Sequence, residues 1–357
     1  MLYSSTLGTG APTAVSGLIL EPTTAWVGKG PRPTIVIAPG TRGAGDACAP
    51  SRGLLSLDPE ALALGINYEL PITHLATAAG VRVVMTDYVG LGTPGAHTYA
   101  YHREEATAVL DAARAALRNA GAAPDSPVAL WGYSQGGGAT AAAAEAAATY
   151  APELDIVGTF AGAPPAHLPT VMQAVDGNAI FGVLGMAAAG FAEREPALLG
   201  EILPLLNDEG RRYFRETPTM CIPDAILAWS RRTSRELSTT GESFGDIARC
   251  SPTLWRALNE QNLGQAAPTR PIMMATALHD DVIPRDQVRD LARVYCGAGT
   301  PVTLEQDSLP RLAPGFAVNH ALPMFTGLES SLHYLMECFR GAPAPNDCAA
   351  ILAESRQ

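Results

Sequence analysis

The segment Pro127–Glu145 constrains the fold more than any other part of the chain. It opens with an apolar run of strand length, Val128–Trp131, turns at Gly132–Gly136, and continues as an alanine-rich stretch of helical composition. Glycines stand two residues before and two residues after Ser134, in a G-x-S-x-G pattern. Between a strand and a helix, this pattern predicts a strained turn that exposes the serine oxygen, where a side chain at either glycine would collide with a neighbouring element.

Ser134 has two possible roles in such a turn. It is either a nucleophile presented at the apex or a helix cap whose hydroxyl accepts a hydrogen bond from the following backbone. The pattern matches on both flanks, so we favour the nucleophile. In that case the N–H of Gln135 points at the reaction centre and is one donor of an oxyanion hole.

Buried strands alternate with helices along much of the chain, which predicts an α/β fold with a mostly parallel central sheet and helices on both faces. The segment Leu2–Glu21 is typical of a strand pair at the sheet edge. The expected inner strands are Thr34–Ala38, Val81–Thr86, Val128–Trp131, Ile156–Phe160, Pro271–Leu278 and Val302–Leu304. The expected helices are Ile72–Ala79, Arg103–Ala120, Ala139–Ala148, Gln287–Tyr295 and Met324–Phe339.

This alternation stops between residues 165 and 269, where only helical segments are found. We therefore expect a core formed by residues 1–164 and 270–357, with residues 165–269 inserted as a helical lid or cap. Helices are expected near 179–192, 196–206 and 223–229. The uncharged run Ile180–Ala192 suits the wall of an apolar pocket and an ordinary core helix equally well.

Charge and composition exclude several classes of protein. The formal net charge is −11, so there is no basic field to attract nucleic acid or an anionic membrane surface. The longest uncharged apolar stretch, Ala179–Ala192, is too short to span a bilayer. The N-terminus lacks the basic and apolar regions of a signal peptide, so a secreted protein would be present here in its mature form.

The six cysteines stand singly, without C-x-x-C or Cys/His spacing, which argues against a metal site. Their even number fits disulfides formed in an oxidising compartment, although buried free thiols are the alternative. No motif calls for a cofactor. The six are Cys48, Cys221, Cys250, Cys296, Cys338 and Cys348.

A serine nucleophile needs a base, and the base needs an orienting acid. In this type of fold the chain order is serine, acid, histidine, which leaves His320 and His333 as bases. We favour His320, expected in a loop after the last strand, over His333 in the closing helix. Asp280 and Asp281 follow the penultimate strand, and we favour Asp280, with Asp281 facing solvent or capping the next turn.

The second oxyanion donor is expected in the glycine-rich loop that follows Thr34–Ala38. Thr41 and Arg42 are both candidates, and the sequence does not separate them. The loop is more than a connector, because its glycines place bare backbone N–H groups where a ligand can approach.

With these residues placed, the chain resembles the secretory lipase family, which includes fungal lipase A enzymes and actinobacterial relatives. The matching motifs cover nearly the whole chain. They are Ala38–Ser51, Thr86–Gly95, Trp131–Gly137, Tyr150–Asp155, Asp280–Pro284 and Asn319–His320.

The resemblance implies an α/β-hydrolase fold with a helical lid, and a secreted, cofactor-free, monomeric enzyme that hydrolyses acylglycerols or similar medium-chain esters. Ser134, Asp280 and His320 fall on the family's triad positions. Acyl transfer, amide hydrolysis or polyester hydrolysis by the same triad is the alternative, and a non-catalytic binding module is a further one. Contact with a lipid interface through the lid is also implied.

The resemblance also implies disulfides Cys48–Cys221 and Cys296–Cys348, and it leaves Cys250 and Cys338 unassigned. Arg42 takes the place of an acidic residue that stands near the oxyanion hole in the fungal branch. The pH behaviour of the fungal enzymes is therefore not expected to carry over.

Overall fold

A mixed sheet runs through the middle of the protein, as seen in a computed structural model that describes residues 1–53, 55–58 and 63–354. Within those residues the strands are β1 (Leu2–Thr6), β2 (Pro12–Leu20), β3 (Thr34–Ala38), β4 (Leu55–Asp58), β5 (Ala63–Ile66), β6 (Arg82–Thr86), β7 (Val128–Tyr133), β8 (Ile156–Gly162), β9 (Ile272–Ala277) and β10 (Val302–Asp307).

Eight of these strands form the main sheet, in the order β1-β2-β6-β3-β7-β8-β9-β10. From β6 to β10 all neighbours are parallel, whereas β1 and β2 form an antiparallel pair joined antiparallel to β6. The carboxyl ends of the parallel strands therefore share one edge, where ligands bind in open α/β sheets. The edge pair and the buried parallel strands confirm the predicted α/β fold.

Helices cover both faces of the sheet. The helices of the described residues are α1 (Leu70–Ala78), α2 (His102–Asn119), α3 (Gln135–Tyr150), α4 (Leu168–Val175), α5 (Val183–Arg194), α6 (Ala197–Ile202), α7 (Asp208–Glu216), α8 (Ile222–Trp229), α9 (Phe244–Cys250), α10 (Pro252–Glu260), α11 (Arg285–Gly297), α12 (Val318–Thr326), α13 (Leu328–Phe339) and α14 (Cys348–Ala353).

Strand β3 shows how the core is divided. Its side chains alternate between two faces, as in any strand, and all five residues are buried. Ile35 and Ile37 pack into a core that contains residues of α1, α11 and α13, whereas Val36 packs with residues of α2 and α3. A strand buried on both faces has no polar side, which explains its continuous apolar run.

The structure differs from the sequence-based expectation at the C-terminal end. The helix expected over Met324–Phe339 is two helices, α12 and α13, which meet at Gly327, and α14 follows them. His320 was expected in a loop but lies in the first turn of α12. The pair β4–β5 was also not predicted, because the glycine and proline pattern around it is typical of a loop as well.

Residues 165–269 contain α4 to α10, and no strand is found there among the described residues. Three of these helices were predicted, with α5 starting at Val183 instead of near 179, and the other four were not. Aromatic side chains form a separate small core in this segment, where Phe181, Tyr213 and Trp229 are fully buried. Among the described residues, no helix has both the length and the apolar character needed to cross a membrane.

Two disulfides are present, Cys48–Cys221 and Cys296–Cys348. The first joins the loop after β3 to the start of α8, where Ala44 N also donates to Met220 O at 3.0 Å. The second joins α11 to α14. Cys250, exposed, and Cys338, buried, are free thiols.

Candidate active site

The turn between β7 and α3 is a tight strand-to-helix elbow. Ser134 has φ 59° and ψ −122°, a conformation that L-residues rarely adopt. A Cβ on Gly132 would lie 2.1 Å from the carbonyl oxygen of Gly136, and a Cβ on Gly136 would lie 2.0 Å from that of Ala38. Only glycine fits at these two positions, because each closes against backbone that cannot rotate away.

Ser134, His320 and Asp280 come together although they lie far apart in sequence. Ser134 Oγ is 2.8 Å from His320 Nε2, and His320 Nδ1 is 2.9 Å from Asp280 Oδ2. No side-chain cap bond links Ser134 to α3. The contacts have the geometry of nucleophile, base and orienting acid, which allows the histidine to take the hydroxyl proton as the serine attacks a carbonyl carbon.

The Asp280 carboxylate is held in place from its other side. Its Oδ1 accepts hydrogen bonds from Val282 N at 2.9 Å and Ile283 N at 2.7 Å, while its Oδ2 contacts His320. These bonds fix the orientation of the Asp280 carboxylate, which in turn orients the His320 imidazole. Because a carboxylate only accepts, the proton shared with it belongs to His320 Nδ1, which leaves Nε2 free to act on Ser134.

The sequence suggested that Asp281 faces solvent or caps the next turn, but the Asp281 side chain does neither. Its Oδ2 accepts from Gly315 N at 2.6 Å and from Ala317 N at 3.2 Å, which ties down the loop that leads to His320. His333 is exposed on α13. The two favoured residues, Asp280 and His320, are the ones that the structure brings to Ser134.

Two of the three candidate oxyanion residues line the same cavity as Ser134. Thr41 and Gln135 line a cavity together with Ser134, and the Thr41 hydroxyl is 2.9 Å from that of Tyr99. Arg42 is not among the lining residues. Its guanidinium turns into the protein and forms a buried salt bridge with Glu69. The charge of Arg42 is therefore neutralised away from the serine.

The cavity beside Ser134 is largely apolar, and most of its wall comes from residues 165–269. Helix α5 lines it with one side and contributes buried residues to the core with the other, so both interpretations of Ile180–Ala192 hold. Among its apolar lining residues are Leu168, Val171, Met172, Ile180, Val183, Leu184, Phe191, Leu198, Phe214, Phe244 and Ile247.

Next to the elbow lies a buried polar cluster that the sequence analysis missed. Gln135 Nε2 donates to Glu105 Oε1 at 2.9 Å and lies 3.1 Å from His97 Nε2. His102 Nε2 is 3.9 Å from Glu105 Oε2, and both residues line the cavity. The sequence did contain a signal for this cluster, because the spacing of His102 and Glu105 puts two polar side chains on the same face of α2 as its apolar stripe.

Burial shifts the pKa values of this cluster. Desolvation lowers the pKa of His97 and of His102 from 6.5 to about 4, so both rings are neutral at pH 7. Burial raises the pKa of Glu105 from 4.5 to about 8, against the opposing effect of the hydrogen bond from Gln135.

We expect the two buried histidines to make the protein less stable in acid. Their folded pKa is lowered, so as the pH falls from 6.5 to about 4 the unfolded chain binds protons that the folded protein does not. The loss is about 3 kcal/mol for each ring, taking about 1.4 kcal/mol for each pKa unit. Glu105 has the opposite effect on stability. The stabilisation that follows from its raised pKa is present below pH 4.5 and is lost as the pH rises to about 8.

Urea unfolding at pH 7 and pH 4 measures this loss. The His97→Asn variant should lose less free energy of unfolding than the wild type between these two pH values, whereas exposed His333→Asn should lose as much as the wild type. An equal loss of unfolding free energy in all three proteins would contradict a lowered pKa of His97.

Among the described residues, no three or more histidine, cysteine, aspartate or glutamate side chains are grouped in a way that could hold a metal ion.

Comparison with known proteins places this chain in a family. The model of the secretory lipase family matches residues 57–347, which is most of the chain. A probable inactive lipase of Mycobacterium tuberculosis is 33% identical over 264 residues, covering 73% of this chain but only 57% of that protein. Lipase A of Arthroderma benhamiae is 28% identical over 359 residues, covering 98% of this chain and 72% of that protein.

A similar fold is found among solved structures. Candida antarctica lipase A in its closed state superposes with a TM-score of 0.82 at 21% identity, covering 99% of this chain and 82% of that one. At this identity the likeness shows the fold alone, which is that of an α/β-hydrolase. The family match over residues 57–347 shows that this chain belongs to the secretory lipase family.

Proposed function

We propose that this chain is a serine carboxylic ester hydrolase of the lipase or esterase type, acting through an acyl-enzyme. The observation that carries the proposal is the hydrogen-bonded series from Ser134 Oγ through His320 to Asp280, in which Ser134 lines an apolar cavity. A nucleophile beside an apolar pocket suits an ester, whose carbonyl must be attacked while its chain leaves water.

In the proposed mechanism, Ser134 attacks the ester carbonyl while His320 Nε2 takes the hydroxyl proton. The same nitrogen then protonates the departing alcohol. A water molecule, activated by His320, attacks the acyl-enzyme and releases the acid. Asp280 stays ionised and stabilises the imidazolium that forms in each half-reaction.

The negative charge on the carbonyl oxygen needs donors. Gln135 N–H is the first, because it follows the nucleophile at the start of α3. Thr41 is the better candidate for the second, since it lines the cavity with Ser134 and Gln135, whereas Arg42 does not. The Arg42 side chain is paired with Glu69, which leaves only its backbone N–H for this role.

The extracellular location is part of the proposal. Two disulfides suit an oxidising compartment. The family is that of secretory lipases. Function as a monomer, and contact with a lipid interface through a lid, stay predictions.

Residues 165–269 are proposed as the lid and as the part that selects the acyl chain. Helix α8 of this segment is tied to the loop after β3 by Cys48–Cys221, and Ile222 N donates to Arg42 O at 2.8 Å. Any opening would therefore leave the start of α8 in place and move the helices that are not anchored there.

A chain-length series tests how the cavity is used. We expect p-nitrophenyl esters of medium chain length to be hydrolysed with a higher kcat/KM than the acetate, because each buried CH₂ adds about 0.8 kcal/mol. The apolar wall supplies the contact. A strict preference for acetate would show that the chain does not enter the cavity.

Labelling with a fluorophosphonate tests the function itself. Because one relative is named a probable inactive lipase, a binding module is the alternative that must be separated. We expect stoichiometric labelling, with the added mass on the peptide that carries Ser134, and no labelling of protein denatured beforehand. Absence of labelling in the folded protein would favour a binding module.

Acyl transfer, amide hydrolysis and polyester hydrolysis use the same acyl-enzyme, so labelling does not separate them from ester hydrolysis. The partition of products with and without added alcohol does, because an acyltransferase would form the new ester in preference to the free acid.

A further inference from the structure

One end of the apolar cavity is polar. His102 and Glu105, in the first turns of α2, are 3% and 1% exposed and both line the cavity. His102 Nε2 and Glu105 Oε2 lie 3.9 Å apart, and neither atom has a hydrogen-bond partner among the described residues. Buried polar atoms are almost always paired, so two unpaired atoms on residues that line one cavity point to a polar group that binds between them. We call this pair the polar corner.

The protonation of His102 follows from its other nitrogen. Nδ1 lies 2.6 Å from the carbonyl oxygen of Gln261, which can only accept. Nδ1 therefore carries the hydrogen, and Nε2 keeps a lone pair that can accept. The ring is neutral at pH 7, because burial lowers its pKa to about 4.

The protonation of Glu105 follows in the same way. Its Oε1 accepts from Ala100 N at 3.1 Å and from Gln135 Nε2 at 2.9 Å, so a proton on this carboxyl belongs to Oε2. Burial and the nearby carboxylate of Glu104 favour the protonated form. The other titratable groups facing it are neutral at pH 7, namely His97, His102, Tyr88 and Tyr99.

The polar corner thus pairs one donor with one acceptor. A distance of 3.9 Å is too long for a direct hydrogen bond, but one oxygen atom about 2.8 Å from each would bridge them. That oxygen must accept from Glu105 and donate to His102, which a hydroxyl does and a carbonyl or ether oxygen does not. Gly138 leaves room for the His102 ring itself, since a Cβ on it would lie 2.7 Å from His102 Nε2.

We propose that the polar corner binds a hydroxyl group on the acyl chain of the substrate, which makes hydroxylated acyl esters the preferred substrate class. The inference rests on the proposed function, in which the acyl chain occupies this cavity. Gln135 connects the corner to the elbow, because its backbone follows Ser134 and its side chain binds Glu105.

The test is a positional series of methyl hydroxydecanoates compared with methyl decanoate. For at least one position we expect kcat/KM about tenfold higher than for the plain ester, which is the worth of one well-formed hydrogen bond. The advantage should disappear in His102→Asn, whose amide keeps a donor for Gln261 O but has no acceptor in place of Nε2. Glu105→Gln should keep it, because its amide nitrogen donates as the protonated carboxyl does.

His97→Asn is the matched control, because His97 is an equally buried histidine that is not among the residues lining the cavity. In this variant the ratio of kcat/KM for the hydroxylated ester to kcat/KM for the plain ester should equal the wild-type ratio. The inference would be overturned if the plain ester is hydrolysed and no hydroxydecanoate is preferred over it, or if the preference survives in His102→Asn. Either result would leave ester hydrolysis standing. Water would then be the group in the polar corner.

A binding measurement keeps the inference testable if the variants do not fold or if no ester is hydrolysed. Calorimetry with Ser134→Ala should show the favoured hydroxydecanoic acid binding about tenfold more tightly than decanoic acid. Equal affinities would reject the polar corner as a hydroxyl site. If the wild type hydrolyses no ester but the hydroxydecanoic acid still binds more tightly than decanoic acid, only the proposed function is rejected.

Discussion

Replacing Ser134 with alanine is expected to lower kcat for p-nitrophenyl ester hydrolysis by about 10⁴- to 10⁶-fold. The hydroxyl that would form the acyl-enzyme is removed, and no acyl-enzyme can accumulate. A residual rate of about 10³-fold over water can persist, because the oxyanion donors and the cavity still bind the ester. Steady-state kinetics with purified enzyme measures the difference.

The control for this variant is its fold. Ser134 Oγ has one side-chain partner, His320, so its loss leaves no large buried group unpaired. Thermal unfolding and circular dichroism should match those of the wild type. Activity within tenfold of the wild type in a folded variant would show that another residue is the nucleophile and would end the mechanism proposed here.

Asp280→Asn has the second largest expected effect, a fall in kcat of about 10²- to 10⁴-fold. An asparagine amide can donate to His320 Nδ1, which favours the tautomer with the hydrogen on Nε2 and removes the lone pair needed by Ser134. The charge that stabilises the imidazolium is lost as well. KM should change little, because Asp280 is not among the residues that line the cavity.

Asp281→Asn is a matched comparison on the neighbouring residue. The Asp281 carboxylate accepts from Gly315 N and Ala317 N, whereas His320 contacts Asp280, so the loss of the Asp281 charge should loosen the loop before α12. We expect a fall in kcat of less than about tenfold, with the free energy of unfolding lowered by about 1–3 kcal/mol. If Asp281→Asn impairs kcat more than Asp280→Asn does, the two aspartates have been assigned in the wrong order.

The local part of the site was predictable from the sequence. The G-x-S-x-G pattern between an apolar run and an alanine-rich stretch predicted the elbow at Ser134, because a turn this tight admits only glycine at positions 132 and 136. Element order then restricted the acid and base to a few residues. The position of His320 in a helix was missed, because Pro323 lies inside α12 and a proline normally indicates a boundary.

The polar corner was not predictable in the same way. His102 and Glu105 are close in sequence, but their neighbours Gln135 and Gln261 come from distant segments, and it is their contacts that set which atoms donate and which accept. The helices of residues 165–269 are a similar case. They are short, and they are stabilised by packing of their apolar faces more than by their own helix propensity.

The sequence alone determined the sheet, the strand-to-helix elbow at Ser134 and a short list of candidates for the acid and base, because these depend on local periodicity, glycine geometry and chain order. The tertiary structure decided which aspartate meets His320, which side of the loop after β3 faces the cavity, and where the polar corner lies. Each of these depends on distances between residues far apart in the chain, and such distances are set by how the helices pack on the sheet.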